Sequence, residues 1–148
     1  MYYEGILQLR NPNGDIIDFF QGLMSKRPEV FISKTVKLDN GFDIYLSSKK
    51  YVRQIGKKLQ LKFGGELVVS AEHFSRDRIT SRDVFRVSVM YRHYTIKKGD
   101  IILFRGEKIK IIHVGKKLHA VNTSTGRRFF LEFRDIPKHN IFQDGRYT

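Results

Sequence analysis

Cysteine is missing from this chain, and so is tryptophan. The first absence removes disulfide frameworks, thiolate nucleophiles and thiolate zinc sites together. Histidine is scarce: His73, His93, His113, His119 and His139 are the whole supply. The six-residue offset of His113 and His119 fits no common ligand spacing, so packing or solvated histidines are expected and a metal is not. No apolar run approaches the roughly 20 residues that span a bilayer. Met1-Tyr2-Tyr3-Glu4-Gly5 has no basic region followed by an apolar one, so a secretory leader is not expected either. Neither G-x-x-x-x-G-K-[ST] nor G-x-G-x-x-G occurs, which excludes the two familiar phosphate-cradling loops. Those absences point to a soluble, cytoplasmic protein without cofactor or membrane partner.

Acidic side chains are also in short supply. Against 28 Lys and Arg stand 15 Asp and Glu, for a net charge of +13 over 148 residues. The excess is uneven. Residues 1–72 hold eleven basic and eight acidic side chains, whereas residues 73–148 hold seventeen and seven, a net of +10. Self-repulsion of that size is relieved by a polyanion, and clustered Lys and Arg at pI ≈ 10.1 are the electrostatic footprint of nucleic-acid binding. A merely solubilising surface is the alternative.

Residue periodicity divides the chain. Tyr3, Gly5, Leu7 and Leu9 alternate with polar residues as a strand does, and Asn11-Pro12-Asn13-Gly14 ends the run. Asp15 is placed to cap a helix with Ile16, Phe20 and Leu23 on one face. Two alternating runs, Val30 to Leu38 and Phe42 to Leu46, flank Asp39-Asn40-Gly41, a hairpin signal. Ser47 or Ser48 then caps a second helix with Tyr51, Val52, Ile55 and Leu59 inward, and Leu67-Val68-Val69 reads as a strand. The expected order is β-α-β-β-α-β over residues 1–74, a sheet with two helices on one face.

Beyond a polar stretch from Ser75 to Asp83 no useful helical period appears. Five short runs follow: Phe85 to Tyr91, Ile101 to Phe104, Lys108 to Val114, Leu118 to Asn122 and Arg128 to Phe133. Gly99, Gly106 and Gly115 separate them at turns suited to positive φ. The pattern predicts a small all-β barrel over residues 75–137, then a polar tail at 138–148, and so an α+β fold as a whole.

Strand period puts Ile109 and Ile111 on one face and Lys108 and Lys110 on the other, about 7 Å apart. That approaches the repeat of phosphates along a nucleic-acid strand. Lys97, Lys98, Lys116, Lys117, Arg127 and Arg128 fall at turns, where long side chains reach outward. Together these eight residues are the candidate RNA contacts. Lys49, Lys50, Arg53 and Lys57, on the outer side of the second helix, are a secondary set. Tyr91, Tyr94 and His119 are stacking candidates that equally suit packing roles. The lack of a paired aromatic platform argues for phosphate-directed binding to structured RNA. No Ser/His/Asp order or carboxylate pair is recognisable, so an enzyme is not expected.

The stretch IKIIHVGKKLHAVNTSTGRRF, Ile109 to Phe129, resembles the N-terminal SH3-like barrel of translation factor five-A. The likeness rests on its Thr-Gly-basic-basic turn and the strand pair before it. That factor carries a modified lysine on a long loop between these strands. Here Val114 to Leu118 is too short, and no modified lysine is implied. With GFDIYLSSKK (Gly41 to Lys50) and YYEGILQLR (Tyr2 to Arg10), the chain resembles an archaeal member of the nonsense-mediated-decay protein three family. Its eukaryotic members are adaptors that load onto the late large ribosomal subunit and accompany it out of the nucleus. The resemblance covers about residues 1–136. It implies a ribosomal-protein-like α/β domain before a five-A-like barrel, and binding of large-subunit rRNA and ribosomal proteins near the tRNA sites. A monomer is expected.

Two rivals stay open: a protein-interaction module for an acidic ribosomal partner, and an elongation helper at the exit site. The family's paired CxxC zinc sites and its leucine-rich export signal have no counterpart here. The chain is then either a fragment or a reduced relative.

Overall fold

The computed structural model describes residues 2–76, 83–136, 141–143 and 146–147. Two compact units divide the chain: Met1–Phe63 with Leu67–His93, and Gly64–Glu66 with Tyr94–Thr148.

The first unit contains β1 (Gly5–Arg10), α1 (Gly14–Ser25), β2 (Ile32–Leu38), β3 (Gly41–Leu46), α2 (Lys49–Phe63), β4 (Glu66–Arg76) from Leu67 onward, and β5 (Asp83–Arg92). Their sheet runs β2-β3-β1-β5-β4. Register explains the core. Leu7 pairs with Ile44 on one side and Val89 on the other, and Leu9 sits between Phe42 and Tyr91. These residues share one face, and they pack with Ile16, Phe20 and Leu23 of α1 and with Val52, Ile55 and Leu59 of α2. Both helices therefore cover the same side.

α1 is capped by Asn13, whose Oδ1 accepts from the Ile16 N–H (2.9 Å); Asp15, expected as the cap, lies in the first turn. Ser48 Oγ accepts from the Tyr51 N–H at the start of α2 (3.1 Å). Ser47 Oγ instead accepts from the Phe31 N–H (3.0 Å) and ties β3 to the start of β2.

β5 is a correction. Its alternating residues Phe85 to Tyr91 read as the first strand of a barrel, yet the strand lies parallel to β1, from Gly5↔Val87 to Arg10↔Arg92. Parallel partners are separated by long crossovers that local periodicity does not encode. The first unit thus reaches His93 rather than closing at residue 74, and its order is one strand longer, β-α-β-β-α-β-β. Of the polar stretch from Ser75 to Asp83, residues 77–82 lie outside the described residues.

The second unit is an antiparallel meander: β6 (Ile101–Phe104), β7 (Glu107–Val114), β8 (Leu118–Asn122) and β9 (Arg128–Leu131), followed by a 3-10 turn at Phe133–Asp135. Two short strands, β10 (Ile141–Gln143) and β11 (Arg146–Tyr147), extend the sheet at the β6 edge, where a polar tail was expected. Its core joins Ile96, Ile102, Ile109, Ile111, Leu118, Ala120, Leu131, Phe133 and Ile136. The β6–β7 turn has two residues, Arg105 and Gly106, both at positive φ (50° and 80°), the geometry of the tightest hairpins. Gly115 does not adopt positive φ as expected, whereas Gly126 does (75°).

Candidate nucleic-acid interface

Alternation fixes what the meander turns outward. With Ile109 and Ile111 buried, the pleat sends Lys108 and Lys110 to the opposite face, and both are exposed. Lys110 pairs with Val121, and Val121 pairs with Arg128 on the next strand. Lys110 and Arg128 therefore lie in one row across three strands, about 10 Å apart at two strand spacings. Lys108 stands two residues along β7, opposite Leu103.

The turns carry the other predicted cations, and two buried polar residues hold those turns. Asp100 Oδ2 accepts from the Lys97 N–H (2.8 Å), while Gly99 N–H donates to the Ile111 carbonyl and Ile111 N–H to that of Asp100. Lys97 and Lys98 are thereby fixed beside the far end of β7, the end that also bears Lys116 and Lys117. Across the sheet, Asn122 Oδ1 accepts from the N–H groups of Ser124 (2.9 Å) and Thr125 (3.2 Å). Its Nδ2 donates to Glu107. The Asn122 backbone closes the same turn with Gly126 and Arg127 (2.8 Å each). That cage presents Arg127 and Arg128. Burying a polar group costs free energy unless it is paired, and both residues are paired within the turns they shape.

The predicted set therefore divides. Lys108, Lys110 and Arg128 share the open face; Lys97, Lys98, Lys116 and Lys117 gather at one end; Arg127 sits at the other end, in a hollow with Arg105, Phe104, Glu107 and Phe129. The described ion pairs are Arg10–Asp43 (2.7 Å), Arg27–Glu29 (3.5 Å) and Arg134–Glu132 (2.6 Å). Lys97, Lys98, Lys110, Lys116, Lys117, Arg127 and Arg128 take part in none of them. In the first unit, Lys50, Arg53 and Lys57 form an exposed stripe at helical spacing on α2. Lys49 is half-buried, and its N–H donates to Glu4 Oε1 (3.1 Å).

Of the stacking candidates, Tyr91 is fully buried in the first core, where burial pushes its hydroxyl pKa well above the ordinary value. Tyr94 packs against Phe133, ring centroids 4.9 Å apart. His119 is on the outer face of the meander, stacked on Phe130. Arg105 in the β6–β7 turn and Phe130 on β9 are surface residues of the second unit outside the predicted set. The Arg-Gly turn was a signal for the first. Phe130 falls within an apolar run, although one step of alternation from buried Leu131 puts it outside. Also unforeseen is a ring cluster in the first unit, where Tyr3 meets Tyr45 edge-on (4.8 Å) with the Arg86 guanidinium 3.9 Å from the Tyr3 centroid.

Among the described residues no three His, Asp or Glu side chains are grouped to hold a metal, and no helix is long and apolar enough to cross a membrane. Compared with known families, residues 2–92 match the family model described as NMD3, second domain, a span that nearly coincides with the first unit. No curated protein matches the chain.

Proposed function

The chain belongs to the NMD3 family, and from that premise we propose a non-enzymatic, cytoplasmic, monomeric factor that docks on large-subunit ribosomal RNA near the tRNA sites during subunit biogenesis. Family membership supports the ribosome-related role. The observation that carries the RNA contact is the outer row of the meander, Lys110 and Arg128 with Lys108 beside them, backed by four lysines at one end of the same sheet. We read that sheet as an SH3-like barrel similar to that of translation factor five-A. Neutralising phosphates along such a row releases counterions and needs no base-edge contact, which suits shape-directed binding to structured RNA. The stripe Lys50, Arg53 and Lys57 on α2 would help position the first unit. Neither a cofactor nor a metal enters this role.

Sucrose-gradient sedimentation of the tagged protein, with and without nuclease, tests the reading. Migration with free large subunits that nuclease abolishes is expected. A complex that survives nuclease would support the protein-interaction rival. Migration with translating ribosomes would support the exit-site elongation helper.

A further inference from the structure

Phe130 is the most anomalous side chain on the described surface of the second unit. It lies on the outer face of β9, the last strand of the sheet, and is 68% exposed. Its partner across β8 is His119, whose ring stacks on it with centroids 4.7 Å apart and planes at 20°. His113 pairs with His119 in turn, so an imidazole row leads up to the phenyl ring. His119 occupies one face of Phe130. β9 is an edge strand of the sheet, and no described strand follows it on that side.

A single exposed ring is ordinary on a protein surface, but this one is backed flat by an imidazole and shares its face with cations, which together make a ready stacking platform. Charge identifies its ligand. Arg128 stands two residues before Phe130 on the same face of β9, about 7 Å away along the strand, and Lys110 continues that row. A ring with a guanidinium about one nucleotide's length away, and an ammonium group about 10 Å farther across the sheet, is the combination used by single-strand binders, which stack a base and neutralise its phosphate. We propose that Phe130, backed by His119, stacks an unpaired RNA base whose flanking phosphates lie on Arg128 and Lys110. The inference rests on RNA docking by the second unit and adds to it a single-stranded element, which phosphate contacts alone do not require.

The absence of tryptophan supplies the probe. Phe130→Trp introduces a single indole, and titration with a single-stranded RNA 12-mer reads stacking directly. Strong quenching at saturation is expected, with little from a perfectly paired RNA duplex. In parallel, Phe130→Ala should weaken 12-mer binding by about 5- to 150-fold while leaving its salt dependence unchanged, because stacking displaces no counterions. Phe130→Tyr should bind as the original chain does. Circular dichroism melts of each variant check folding. Absence of quenching, or a Phe130→Ala affinity equal to that of the unaltered chain, would overturn the stacking site. If Lys110→Glu with Arg128→Glu also leaves affinity unchanged, the RNA-docking reading fails with it; if that pair weakens binding, only the base contact is lost.

Discussion

At the scale of single residues, chemistry is decided by what each polar group meets on burial. Among the described residues of the second unit, Asp100 and Asn122 are the two buried polar ones, and each holds a turn that aims neighbouring cations. His93 illustrates the opposite case in the first unit. Burial penalises its charged form and holds its pKa below the ordinary value of about 6.5, with a hydrogen bond to the Asn11 backbone opposing the shift. A depressed histidine binds protons more weakly folded than unfolded, so its contribution to stability is complete above about pH 6.5 and is lost as pH falls from there toward the folded-state value. Thermal melts from pH 8 to pH 5 should show the first unit weakening over that interval, and His93→Gln should flatten the dependence. An unchanged slope in the variant would assign the pH effect elsewhere.

At the scale of elements, local pattern was legible wherever partners are close in sequence. Asp39-Asn40-Gly41 marked the β2–β3 hairpin, and the pairing Leu38↔Gly41 puts Asp39 and Asn40 in its two-residue loop. What the dipeptide did not convey is why glycine is needed. Gly41 has φ +151°, and a Cβ there would stand 1.8 Å from the Leu9 carbonyl oxygen on β1. Gly41→Ala should therefore destabilise the first unit by about 3 kcal/mol or more, read from urea unfolding; a loss below about 1 kcal/mol would mean β1 and β3 can separate at little cost. The inward faces of α1 and α2 were equally readable from helical spacing, because Ile16, Phe20, Leu23, Val52, Ile55 and Leu59 recur at 3.6-residue intervals. β5 was not. Its alternation identified a strand, but the choice of β1 as partner depends on a long-range register that no short window contains. Phe130 was readable in principle from one step of alternation before buried Leu131, but its stacking on His119 depends on the β8–β9 register, which alternation alone does not give.

At the scale of the whole molecule, composition pointed to a polyanionic partner through the net charge of +13 and its bias toward the C-terminal half. It left open which cations act together. Register supplies that grouping, with Lys110 and Arg128 in one row, Lys108 beside them and a lysine cluster at one end of the meander. The most direct measurement of the RNA-docking claim is the affinity of the full chain for a large-subunit rRNA fragment across a salt series. With about five phosphates neutralised, log K against log salt should fall with a slope near −4, and Lys110→Glu with Arg128→Glu should reduce that slope by about 2. Lys50→Glu with Lys57→Glu should change it less. A slope near zero, or equal effects from the two charge-reversal pairs, would contradict the account.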